Sequence, residues 1–345
     1  MKKFKIGVLI LLVFSLTACG NSNYIVDEEG TPVEYEQTGQ ILQKDILCKP
    51  VDEDLDALYQ KYGDQTKIPY EDLPVCSEFH LSSNEADGIW EGIFVKPLAF
   101  LIMKLGYLIN SFGLAVILIG LAIRLILMPI SRKTMRQSSN MKKAQPEIAK
   151  IEKKYAGKTD NESMLAKSQE MMLVYKKYNI SPFGSCLLAF IQLPLFFAFL
   201  QAINRTPAIF EDTFLGLTLG QTPMKGLFEY HQWAYLIIIA LIILTTYLSF
   251  RNSMSTTQTG NQDMERQMQF IFKFMIIMIS VASLYLSTAI ALYWIATNGF
   301  VVLQNFVFKK IDQREEKKDQ IIVPHKNKKK DKKEKDKKVS KKKGK

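Results

Sequence analysis

One arginine in this 345-residue chain stands where only apolar neighbours surround it: Arg124, in the run Arg124-Leu125-Ile126-Leu127-Met128-Pro129. It lies twelve residues after Phe112, or ~18 Å along a helix at 1.5 Å per residue. A guanidinium at that depth of a membrane span costs from ~2.5 to more than ~10 kcal/mol, depending on snorkelling and water access. An acidic partner would lower that cost, yet the five long apolar stretches, about 112–130, 183–203, 233–250, 270–286 and 289–308, contain no Asp or Glu. Their only other charge, Lys273, lies near a cytoplasmic end where its stem can snorkel. Arg124 therefore either faces water and backbone or amide oxygens in a hydrophilic groove open to the cytoplasm and inner leaflet, or snorkels to inner-leaflet phosphates. Gln192 and Gln201, Thr245 and Thr246, Asn298 and Gln304 are available to line such a groove. One fixed positive charge among uncharged amides and hydroxyls can solvate a passing polar or acidic peptide segment. It provides no proton relay and no cation site. For each Gln and Asn, interhelical hydrogen bonding is an equally good reading, and Trp294, beside Tyr293, reads by default as an aromatic-belt residue.

No other constellation suggests chemistry. His80, His231 and His325 fall in three separate regions, so neither a metal site nor a triad is expected. Cys186 sits in an apolar helix without a His partner, where thiolate formation is disfavoured. There is no Gly-rich phosphate loop. The expectation is a protein that is not an enzyme and uses no cofactor or metal.

The elements that must hold Arg124 follow from composition. Hydrophobic residues make up 48% of the chain and charged residues 23%, and the mean hydropathy of zero averages two opposite populations. The net charge of +11 belongs wholly to residues 309–345, with eighteen basic against seven acidic side chains; residues 1–308 sum to zero. A folded nucleic-acid-binding domain would interleave basic residues with aromatics on a packed scaffold. The tail lacks aromatics, so DNA is not an expected partner and the tail should be disordered. The rest reads as an all-α polytopic membrane protein.

Residues 1–18 have the basic start, short apolar run and small-residue ending of a secretory signal. The ending Leu16-Thr17-Ala18-Cys19-Gly20 resembles the lipobox of bacterial lipoproteins, which makes Cys19 a lipidation site; a stray Cys after an ordinary signal is the alternative. Residues 19–88 form an acidic extracytoplasmic segment whose only further cysteines are Cys48 and Cys76. In an oxidising compartment they suggest one disulfide, although two free thiols are also compatible with the sequence. Residues 89–110 carry apolar residues at helical spacing, with Glu91, Lys96 and Lys104 off the stripe. This predicts an external interfacial amphipathic helix broken near Pro97, or, for 99–109, an extension of the next span.

Five spans with residue 20 outside leave eight Lys/Arg in exported segments and thirty-two in cytoplasmic ones, in accord with the positive-inside rule. The first cytoplasmic loop contains a helical hairpin, 137–178. Ile148, Ile151 and Tyr155 recur on one arm, a turn follows at Gly157–Asn161, and Leu165, Met172 and Tyr175 recur on the other. Met135, Met141, Met164, Met171 and Met172 either pack that hairpin or offer it soft apolar contacts.

From Ile89 to Lys310 the chain resembles the YidC/Oxa1/Alb3 membrane protein insertases, and most closely their lipoprotein-type Gram-positive members (SpoIIIJ/MisCA-like). The resemblance rests on Arg124 in its local run, Gln145-Pro146-Glu147-Ile148 with Lys153-Lys154-Tyr155, and Glu170-Met171-Met172 leading to Tyr175-Lys176-Lys177-Tyr178. It rests also on Ser181-Pro182 with Gly184 and Cys186, on Ile191-Gln192-Leu193-Pro194-Leu195-Phe196, and on Tyr293-Trp294 with Asn298 and Gln304. It implies a five-helix core, residues 111–308, whose hydrophilic groove is closed to the outside. In that groove Arg124 would attract acidic N-terminal residues of nascent membrane proteins, alone or beside the Sec translocon, with Gln192 and Trp294 nearby. The protein would sit in the bacterial cell membrane, lipid-anchored outside and with its C-terminus in the cytoplasm. The chain departs from the family in Ser181, Leu188 and a third span without Gln, which leaves Thr245 or Thr246 to serve there. Its acidic external segment is also longer than this branch suggests. The Lys-rich tail reads as a contact for anionic lipid or for the ribosome through phosphates. The alternative class, a small-solute transporter or channel, is disfavoured by the lack of intramembrane carboxylates, of a repeat and of a selectivity ring.

Overall fold

The computed structural model describes residues 23–83, 88–181, 184–254 and 262–322. Signal residues 1–18, Cys19 and the last 23 residues of the tail lie outside them. The chain divides into two compact units, residues 1–298 and 299–345.

The acidic N-terminal segment gathers apolar residues into a core of its own: Ile25, Tyr35, Leu42, Ile46, Leu55, Tyr59, Tyr70 and Leu73. Strands β1 (Glu34–Tyr35) and β2 (Gln40–Ile41) form a small antiparallel hairpin. Helix α1 (Glu53–Lys61) starts at Asp52, whose carboxylate accepts from the Leu55 amide at 2.9 Å. Cys48 and Cys76 are joined by a disulfide, Cα–Cα 4.8 Å, which packs with Leu47 and Phe79 against Val95, Leu98, Ile102 and Met103.

Those last residues belong to a continuous helical stretch, a π turn at Glu91–Val95 leading into α2 (Lys96–Ile109). Pro97 falls in the first α turn, directly after the π turn, and the helical stretch runs through it unbroken. The inward and outward faces differ from the sequence expectation. Ile93, Leu101 and Leu108 are exposed, whereas the off-stripe Glu91 and Lys96 are buried, Lys96 at 2% exposure. The apolar stripe is thus split between buried Leu98 and Ile102 and exposed Ile93, Leu101 and Leu108, and Glu91 turns inward to a partner from another segment while Lys104 stays exposed.

Asn110, at φ 52°, ends α2 in the left-handed conformation that Asn tolerates, and Ser111 caps α3 (Phe112–Ile126). At Leu127 the chain turns by 55° into α4 (Met128–Lys154). Pro129 accounts for the break: it lacks an N–H, and its ring crowds the preceding turn. α4 and α5 (Asn161–Lys177) form the hairpin around Ala144, Ile148, Ile151 and Val174, with Met141, Met171, Tyr175 and Tyr178 against them. Leu165 and Met172 do not join this core; both are more than half exposed. Two matched clasps close the hairpin. Lys154 and Tyr155 bind Glu170 at 2.5 and 3.0 Å, and Lys177 and Tyr178 bind Glu147 at 2.5 and 2.8 Å.

The remaining elements of the first unit are α6 (Gly184–Asn204), α7 (Pro207–Glu211), the hairpin of β3 (Thr213–Phe214) and β4 (Leu217–Thr218), α8 (Pro223–Phe228), α9 (Ala234–Met254), α10 (Gln262–Ala282) and the start of α11 (Thr288–Ile322). Among the described residues, three helices are long and apolar enough to cross a membrane: Glu91–Ile109, Ala234–Arg251 and Thr288–Arg314. The bent α3–α4 pair makes a fourth if taken as one span, and Ile191–Asn204 and Gln269–Ala282 are shorter apolar helices. In the second unit α11 continues through Lys309 and Lys310 to Ile322, so the first fourteen residues of the 309–345 tail, expected to be disordered, are helical. The Gln-Arg-Glu-Glu-Lys-Lys composition after Asp312 favours helix, and Lys310 sits over the Phe306 ring at 4.4 Å.

Candidate functional site

Arg124 occupies the last turn of α3 and is 8% exposed. One turn earlier, Gly120 supplies the space that lets α11 approach: a Cβ there would meet Tyr293 Cδ2 at 3.0 Å and Thr297 Cγ2 at 3.2 Å. Tyr293 is thereby held against α3 while its ring stacks on Phe199 of α6 at 4.2 Å. The tyrosine hydroxyl lies within electrostatic reach of Arg124 and faces the Gln192 side chain, yet makes no hydrogen bond of normal geometry. The Nε of Arg124 is likewise buried without a hydrogen-bond partner, and no carboxylate among the described residues is paired with it.

A second polar group joins α9 to α11. Thr246 is fully buried; its hydroxyl oxygen accepts from Trp294 Nε1 at 3.1 Å and from Asn298 Nδ2 at 3.4 Å. Trp294 meets the Phe196 ring edge-on at 5.0 Å, so it points into the protein and not into an aromatic belt. Thr245 does not participate, because its hydroxyl donates to the Leu241 carbonyl of its own helix at 2.7 Å. Gln201 is used elsewhere, accepting from Trp90 Nε1 at 2.9 Å. Gln304 is buried on α11 in the second unit. The structure thus sets Arg124 and Gln192 beside Tyr293, the member that sequence reasoning missed, and separately joins Thr246 to Trp294 and Asn298. A signal was present: a glycine one helical turn from a buried arginine marks where a ring from another helix can lie.

Sequence reasoning also missed an ionic cluster that joins residues 45, 91 and 205. Arg205 places Nη2 2.6 Å from Glu91 Oε1 and Nε 3.3 Å from Asp45 Oδ2, and all three side chains are buried. Burial pushes the Asp45 carboxyl above the usual carboxylate range, against the opposing pull of Arg205. Nearby Glu211 accepts from the Val51 and Asp52 amides at 2.8 and 3.1 Å, and its carboxyl is pushed up by burial. Lys225 pairs with Glu34, and the Tyr230 hydroxyl donates to the Glu36 carbonyl at 2.7 Å. The acidic segment is therefore bound to the 204–232 loop by a row of polar contacts.

A helical membrane protein with a carboxylate-free arginine among interhelical amides and hydroxyls is the class that this architecture defines. The 60Kd inner membrane protein family model matches residues 104–317, and the chain belongs to that family. It is 36% identical over 243 residues to the membrane protein insertase YidC of Oceanobacillus iheyensis, covering 69% of this chain and 91% of that protein. It is 34% identical over 236 residues to YidC 2 of Bacillus anthracis (68% and 87%) and 31% identical over 183 residues to the insertase MisCA of Bacillus subtilis (53% and 64%). A solved structure described as an active YidC insertase with its first transmembrane domain resolved aligns with a TM-score of 0.44 at 21% identity, over 74% of this chain and half of that one.

Proposed function

We propose that this chain is a membrane protein insertase and chaperone, acting on nascent membrane proteins through a hydrated groove around Arg124. The membership of a family whose relatives are named insertases supports the reading, and one observation of this chain carries its mechanism: a buried guanidinium with an unpartnered Nε and no paired carboxylate. A desolvated charge of that kind gains most from a transient anionic or polar ligand and from water. An acidic flank of a client would be drawn to it, while Gln192, Tyr293 and Asn298 offer uncharged hydrogen-bonding groups on the way. The action is non-covalent, so no catalytic residue is assigned. In this reading five helices surround a groove open to the cytoplasm and inner leaflet, Cys19 is lipidated outside, and the tail faces the cytoplasm. The Sec translocon, the ribosome and anionic lipids are the partners.

The test is insertion of a single-span client with an acidic exported flank into proteoliposomes. A unit charge pair at about 4 Å in an effective dielectric of about 20 is worth about 4 kcal/mol. Arg124→Ala should therefore lower insertion roughly tenfold or more, Arg124→Lys should largely keep it, and a client with a neutral flank should be little affected. Full insertion of the acidic client by the Ala variant would remove the charge-attraction step.

A further inference from the structure

The external β3–β4 hairpin turns through Leu215 and Gly216, both at positive φ, 53° and 78°. A two-residue loop with that pattern favours Asn, Asp or Gly at its first position, because a left-handed backbone crowds any larger L side chain. Leucine is the poorer choice twice over, since its side chain is also 86% exposed. The rest of the hairpin is firmly seated. Leu217 and Leu219 are buried, and Phe214 fills the space over Gly113, where an added Cβ would lie 2.6 Å from its ring. The Phe112 amide donates to Asp212 at 2.7 Å. The tip is thus fixed at the first turn of α3, the external end of the helix that carries Arg124. Directly along that helix, Leu114 and Leu118 are exposed, and across the same loop Phe228 and Trp233 are exposed at the approach to α9.

A strained, fully exposed leucine is a cost without return in water and a gain in hydrocarbon. We propose that Leu215 inserts into the outer leaflet, making the 213–218 hairpin a lipid-seated wedge continuous with the lipid-facing surface of α3. The occupant of this surface is the headgroup–acyl boundary of the outer leaflet. The proposal rests on the external placement of the 204–232 loop.

The experiment places a diazirine amino acid at position 215 of the full chain in phosphatidylcholine/phosphatidylglycerol proteoliposomes and reads adduct masses after photolysis. The same probe at Ile237, 64% exposed in the first turn of α9, and at Val51, exposed on the external segment, brackets the result. The proposal expects lipid adducts at 215 comparable with those at 237 and several-fold above those at 51. Water addition alone at 215, with lipid adducts at 237, overturns it while leaving the membrane reading intact. A peptide adduct from a second copy at 215 overturns it too. Water addition at 237 as well would instead overturn the membrane reading of α9 on which it rests.

Discussion

Thr245 and Thr246 are adjacent, chemically identical and opposite in consequence. The Thr246 hydroxyl is the acceptor for both Trp294 and Asn298, whereas that of Thr245 only returns to its own helix. Removing the shared acceptor leaves two donors without a partner, and a buried unsatisfied polar group costs about 1–3 kcal/mol. Thr246→Val should therefore lower the thermal unfolding midpoint of the purified protein clearly, and Thr245→Val should leave it nearly unchanged. Equal shifts would show that the Thr246 junction does not join the helices. Gly120 acts at the same scale, since a side chain there would displace Tyr293 from beside Arg124.

Two charged elements respond to acid in opposite directions. In the α4–α5 hairpin, Lys177 with Tyr178 and Lys154 with Tyr155 hold Glu147 and Glu170 below the usual carboxylate range. A carboxyl with a lowered folded pKa contributes stability that is present above its unfolded value, about 4.3, and lost as pH falls through the folded one. The partner lysines are raised by the same contacts, so their contribution holds below about 10.4 and fades as pH rises through their folded values. Between the acidic segment and the 204–232 loop, Asp45 and Glu211 are raised by burial. Their contribution is fullest below the unfolded values, about 3.9 and 4.3, and is lost as pH rises through the folded ones. Between pH 7 and 4, hydrogen exchange corrected for intrinsic rate should show amides around 45–55 gaining protection, while those of α4 and α5 hold and then lose it at the lowest pH. Protection falling in parallel in both elements would contradict this assignment.

Over the whole molecule, charge separates by segment. Residues 20–97 carry seventeen acids and five lysines, residues 131–182 are basic, and the tail holds the entire net charge. If the tail contacts ribosomal RNA, removing residues 323–345 should abolish co-sedimentation with ribosomes, and the binding of the full chain should fall steeply with salt through counterion release. Co-sedimentation independent of the tail or of salt would count against that partner. The truncation leaves α11 whole to Ile322, so the loss would belong to the charges beyond it. At the other end of the chain, the acidic segment is a cored, disulfide-joined body tied to the 204–232 loop through Arg205, Glu211 and Lys225.

The class of protein, the apolar helices, the hairpin and the oddity of a charge at Arg124 were legible in the residues, because hydropathy, helical periodicity and the cost of a charge in hydrocarbon act locally along the chain. The Pro129 bend and the inward face of Glu91 and Lys96 were less so. A stripe of apolar residues looks the same whether lipid or protein covers it; only the arrival of Arg205 from more than a hundred residues away decides that the charges turn inside. Likewise, composition offered Thr245 and Thr246 as equals, and Tyr293 only as a neighbour of Trp294. Their roles depend on helix rotation and on where α9 and α11 meet, which are set by packing between distant segments, as at Gly120 against Tyr293. By itself the sequence determined which chemistry this protein could contain, and the tertiary structure decided which of those side chains meet.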